Sequence, residues 1–80
     1  MTRTMLVRFQ DVGRGRRTWN SDVPLDKRGR PDNEQLARLA REKGNLASRD
    51  VEVVATSTDP WAGAIYAGGR AVGLWGEVRT

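Results

Sequence analysis

Six cations crowd the first part of this chain. Arg14, Arg16 and Arg17 are interleaved with Gly13 and Gly15, and Lys27, Arg28 and Arg30 lie between Pro24 and Pro31. Guanidinium groups fork onto phosphate oxygens, so residues of this type at this density suit a polyanion. The bias is regional. Residues 1–30 hold eight Lys/Arg against three Asp, whereas the rest of the chain holds six against seven acids, and the formal net charge is +4. A basic end on a small protein is the electrostatic footprint of a nucleic-acid binder. Twelve of the fourteen cations are Arg. A GC-rich coding sequence of bacterial or phage type, also rich in Ala, Gly and Val, accounts for the Arg/Lys ratio but not for the concentration at one end.

The chain has neither His nor Cys. That removes the Ser-His-Asp and Cys-His nucleophile systems, thiolate metal sites and disulfides. The carboxylates Asp11, Asp22, Asp26, Asp32, Asp50 and Asp59 mostly stand beside turns or a helix start, where Asp serves local hydrogen bonding. Gly13-Arg14-Gly15 precedes a strand pattern rather than a helix, unlike a phosphate-binding loop. The expectation is a non-catalytic protein without metal or cofactor. Eighty residues predict a single domain, 1–80, with a thin core, and a homodimer is one way to reinforce it. No apolar run approaches the ~20 residues of a membrane span, and Met1–Arg8 lacks a signal-peptide core, so a cytoplasmic protein without membrane association is expected.

The elements that must position these residues follow from periodicity. Residues 4–12 alternate, with Met5, Val7 and Phe9 on one side and Thr4, Leu6, Arg8 and Gln10 on the other, which predicts a strand. Gly13 and Gly15 supply a turn into a second strand over 16–23, with Arg17, Trp19, Ser21 and Val23 on one face. Residues 24–31 read as a loop. The two basic clusters then fall near opposite ends of the second strand, about 20 Å apart at ~3.3 Å per residue. Residues 33–43 predict a helix: Asp32 is the N-cap, Gln35 completes a capping-box pattern, and Gly44 is the stop. Leu36, Leu39, Ala40 and the stem of Lys43 line one face, with Glu34–Arg38 and Arg38–Glu42 as i,i+4 pairs outside. Leu46 and Ala47 add a short turn.

Residues 51–57 are rich in β-branched side chains and predict a strand whose Val51, Val53 and Ala55 face the helix. Thr58-Asp59-Pro60 breaks it. Residues 61–67 and 70–78 flank Gly68-Gly69, a signal for a tight hairpin. Two-residue pairing sets Ile65 opposite Val72, Gly63 opposite Leu74 and Ala62 opposite Trp75. The expected fold class is α+β: one small antiparallel sheet, in chain order β-β-α-β-β-β, with one helix packed on one face.

In that pairing Tyr66 and Trp75 share the face away from the helix, beside the small Ala64, Ala71 and Gly73, while Phe9 and Trp61 enter the core. With Arg8 they form an open aromatic face, able to stack bases, to bind a cellular protein or to close a homodimer. Two functions are expected. The first is a nucleic-acid-binding accessory protein acting through Arg14, Arg16, Arg17, Lys27, Arg28 and Arg30. The second is a protein-binding module, a small inhibitor or regulator of a cellular protein, acting through Arg8, Tyr66 and Trp75.

Overall fold

A computed structural model describes residues 3–46 and 50–79. Among them are strands β1 (Thr4–Val12) and β2 (Arg17–Pro24), helix α1 (Asn33–Lys43), and strands β3 (Val51–Thr58), β4 (Trp61–Ala67) and β5 (Arg70–Glu77). All five strands join one antiparallel sheet in the order β2-β1-β5-β4-β3. The expected α+β class and element order hold. The first and last strands, β1 and β5, pair in the middle, and the helix touches both edge strands, β2 and β3, so it spans one face of the sheet.

The helix starts as its sequence predicts, with one difference. The Asp32 side chain accepts from Glu34 N–H at 3.0 Å, an N-cap. The reciprocal half of the capping box is absent, because Asp32 N–H instead donates to Pro24 O at 3.1 Å, tying the helix start to the end of β2. At the other end Gly44 is not the left-handed residue: its φ is −83°, and Asn45 takes φ 53°. Glycine is needed at 44 for closeness, since a Cβ there would lie 2.5 Å from Val12 Cγ1. Leu36 and Ala40 are buried and Leu39 partly so, while Lys43 is exposed. Among the described residues, Glu34, Arg38 and Glu42 form no ion pair. Ala47 lies outside the described residues.

Two bulges decide which side chains enter the core. In β1 the register shifts between Phe9 and Val12, with Asp11 at φ 53°. Alternation would point Val12 outward with Arg8 and Gln10, but the extra residue turns it inward and it is fully buried. In β5 the register slips beside Val72: Tyr66 pairs Ala71, yet Ile65 pairs Gly73, Ala64 pairs Leu74 and Gly63 pairs Trp75. The Gly68-Gly69 turn itself forms as expected, with φ 59° and 81°. The correction lies beyond it. A one-residue slip exchanges the two faces of a strand, so Trp75 joins the core at 3% exposure and Leu74 emerges at 52%.

The inner face therefore carries a row of rings. Phe9 pairs Trp19 on one side and Trp75 on the other, and its ring stacks on Trp19 with centroids 4.9 Å apart and an interplanar angle of 8°. Trp75 leans across Gly63, and its indole N–H donates to Val54 O on β3 at 3.3 Å. Val7, Phe9, Val12, Val23, Leu36, Ala40 and Ile65 complete the core at 0% exposure. Each of the larger ones contributes roughly 1.5–3 kcal/mol by burial. Ala55 keeps the helix-facing side with Val51 and Val53, pairing Gly63 and lining a depression with Trp75, although it is exposed there; β3 slips register only beyond it, between Ala55 and Ser57. Trp61 is partly buried against the core, as expected in kind.

Gly63 makes the Trp75 position possible. A Cβ there would fall 1.8 Å from Val54 O and 2.8 Å from Trp75 Nε1. Gly63→Ala is expected to cost on the order of 4 kcal/mol in urea unfolding. Gly29→Ala, where nothing lies within 4 Å, is expected to cost about 1–2 kcal/mol from its left-handed backbone alone. Equal losses for the two variants would contradict this packing.

Candidate nucleic-acid interface

The β1–β2 turn holds its arginines in a defined place. Gly13, at φ +78°, begins the turn, and Arg16 N–H donates back to Gly13 O at 3.2 Å. Gly13 N–H donates to Val72 O at 2.9 Å, so the β5 bulge grips the turn. A Cβ on Gly13 would meet Gly44 O at 2.6 Å, which places the turn directly against the end of the helix. Arg17 completes the attachment: its Nη1 donates to Lys43 O at 3.2 Å, a cation on the negative end of the helix dipole. Arg41 and Lys43 occupy the same last turn.

A depression opens at this end of the molecule. Arg14, Arg16 and Arg17 line it from one turn and Arg70 from the start of β5, with Asp11 as the single carboxylate and glycine backbone between them. Among the described residues none of the four guanidinium groups pairs with a carboxylate. The forks of Arg14, Arg16 and Arg70 can receive phosphate oxygens without first giving up an internal partner, whereas that of Arg17 already holds Lys43 O. Arg70 was not among the expected site residues. Its signal was the basic residue directly after Gly68-Gly69, which the strand order brings to the same end as Gly13–Arg17.

Lys27, Arg28 and Arg30 lie beyond the other end of β2, as expected from the strand length, and so form no continuous surface with the first cluster. Their loop is organised by an acid. Asp26 accepts from Arg28 N–H at 2.8 Å and Arg30 N–H at 3.0 Å, and Arg30 Nε stands 3.6 Å from its other oxygen. The neighbouring depression is lined by Asp26, Asp32 and Glu34 against Arg30 alone. This end is mixed in charge. Among the described residues no three acids converge as a metal site.

The expected partner face is rearranged. Tyr66 and Arg8 stay on the outer side, but Trp75 belongs to the inner one because of the bulge beside Val72. The outer face instead presents Leu6, Val54 and Leu74, of which Leu74 was expected on the inner side. One cue for the true register was Gly63: a strand glycine is commonly covered by a facing aromatic ring, which favours Trp75 over Leu74 as its partner. No helix among the described residues is long and apolar enough to cross a membrane. No family model, curated protein or solved structure matches the chain.

Asp26 gives a pH test of the loop. The Arg30 N–H bond, opposed by desolvation and then joined by the Arg28 N–H bond and both guanidinium charges, holds its carboxyl below the usual 3.8. A folded pKa below the unfolded one stabilises in full above the ordinary carboxylate value and loses that contribution as pH falls through the depressed one. By NMR the Asp26 carboxyl should titrate below an unfolded Asp, and Asp26→Asn should flatten the acid limb of stability. An ordinary titration midpoint would show that the loop bonds do not persist in solution.

Proposed function

We propose that this protein is a non-catalytic nucleic-acid-binding accessory protein that contacts the phosphate backbone through its arginine end. The observation that carries this reading is the depression shared by Arg14, Arg16, Arg17 and Arg70 with one carboxylate. Its chemistry is backbone contact: guanidinium forks and turn amides engage phosphates, which gives affinity and orientation without base readout. The Lys27–Arg30 loop, with Asp26 inside it, contributes long-range attraction rather than a second contact surface.

A second reading rests on the exposed Leu6, Val54 and Leu74. A protein-binding module, such as a small inhibitor or regulator of a cellular protein, would use that outer face, with the basic end steering it to an acidic partner.

Fluorescence anisotropy with labelled duplex and single-stranded oligonucleotides, titrated across salt, separates the two. Affinity should fall steeply with salt, by a slope of about 0.9 per duplex phosphate contacted. Arg14→Gln, Arg16→Gln and Arg70→Gln should each lower that slope by about one contact. Lys27→Gln and Arg28→Gln should leave it unchanged. Binding that ignores salt, or that survives the combined loss of Arg14, Arg16 and Arg70, would remove the nucleic-acid reading.

A further inference from the structure

The depression at the arginine end gathers its cations instead of spreading them. Segments that finish at the same end of the molecule line it: the β1–β2 turn, the end of α1 with Asn45 and Leu46, and the β4–β5 hairpin through Ala67 and Arg70. Among the described residues no cationic track leads away from it. Arg41 and Lys43 on the neighbouring helix turn alternate with Glu42, and the Lys27–Arg30 loop lies beyond the far end of β2. Proteins that follow a strand carry a positive groove along its backbone. This surface offers one receiving point.

The donors at that point are free. The amides of Arg14 and Gly15, successive in the turn, donate to no acceptor among the described residues, and successive turn amides make an anion-binding hollow. The exposed forks of Arg14, Arg16 and Arg70 form no ion pair there either. The negative end of a helix repels an anion, but the last carbonyls of α1 are occupied. Arg17 Nη1 donates to Lys43 O, and Leu46 N–H donates to Arg41 O at 3.1 Å. Arg17 therefore serves the helix end rather than a ligand.

The charge left over selects the ligand. Arg14, Arg16 and Arg70 against Asp11 leave a surplus of two positive charges. A backbone phosphodiester brings one negative charge. A terminal phosphate brings about 1.5 to 2, on three oxygens. The depression measures about 930 Å³, far more than a phosphate fills and within the roughly 300–1,000 Å³ of ligand pockets. Leu46, Ala71 and Val72 give it an apolar side, suited to the sugar and base next to that phosphate.

We propose that this depression takes the phosphorylated end of a nucleic-acid strand. The terminal phosphate lies among Arg14, Arg16, Arg70 and the turn amides, and the terminal nucleoside lies on the apolar side. The proposal rests on the nucleic-acid reading above and narrows its ligand from any stretch of backbone to an end.

Competition anisotropy with the full chain tests it. A short single-stranded oligonucleotide is compared with a 5′-phosphate, with a 3′-phosphate, with hydroxyl ends, and closed into a circle. At least one phosphorylated form should bind about tenfold tighter than the hydroxyl form, and the circle should compete no better than the hydroxyl form. Arg14→Gln and Arg70→Gln should each remove that preference without lowering the melting temperature, since both side chains are exposed. Arg28→Gln should retain it. Equal binding of all the forms, with steep salt dependence, overturns the proposal and leaves the backbone reading standing. No binding of any form overturns both. A preference that survives both arginine variants also overturns it. So does a nucleoside monophosphate or inorganic phosphate that competes as well as the phosphorylated strand, because the site would then take phosphate without the strand.

Discussion

One extra residue in β5 governs this structure. With Val72 bulged, the strand changes parity between its turn and its end, and the two faces beyond that point exchange occupants. Trp75 turns inward, where it continues the row begun by Trp19 and Phe9 and reaches Val54 O across Gly63. Leu74 turns outward. Gly73 also faces inward, and the space it leaves is filled by Val12, whose Cγ2 lies 2.8 Å from where a Cβ would stand. The bulged carbonyl is used as well, since Val72 O holds Gly13 N–H and with it the arginine turn. Core, outer face and basic end all follow from the same slip.

The thin core explains why glycines are spent at close approaches. A small protein has few side chains to bury, so backbone is brought near backbone wherever a large group must fit. Val12 is wedged between Gly73 on β5 and Gly44 at the helix end, and the Trp75 indole rides over Gly63. Asp11 serves the same purpose in β1, where its left-handed backbone turns Val12 into this wedge. The helix is fastened at both ends by β1, β2 and the turn between them: Asp32 N–H to Pro24 O, and Arg17 to Lys43 O. These contacts place the arginine turn against a rigid element, which is what a phosphate-binding surface requires to act as more than diffuse charge.

Much of the fold is legible in the sequence. Alternation over 4–12, the amphipathic stripe of 33–43 and Gly68-Gly69 are local signals, and each yields its element with bounds within a residue. The bulges are not local. Nothing in Arg70–Glu77 marks Val72 as supernumerary; the choice between Leu74 and Trp75 for the core is made by Gly63, by the Phe9 row and by the room beside Val12, all distant in the chain. The arginine cluster was legible as charge, because Arg14, Arg16 and Arg17 are consecutive or nearly so. Arg70 joins it only through strand order. The partner face was misread in one member for the same reason: Tyr66 precedes the bulge and keeps its expected side, whereas Trp75 follows it.

The register of β5 is the claim on which the rest stands, and the Trp75 indole reports it most directly. In a proton NMR spectrum the account predicts nuclear Overhauser contacts from the indole ring to the Gly63 α-protons, and slow exchange of an indole N–H held by Val54 O. Contacts from that ring to the Ala62 methyl group, with rapid exchange of its N–H, would restore the unbulged pairing and contradict the placement of core and outer face alike.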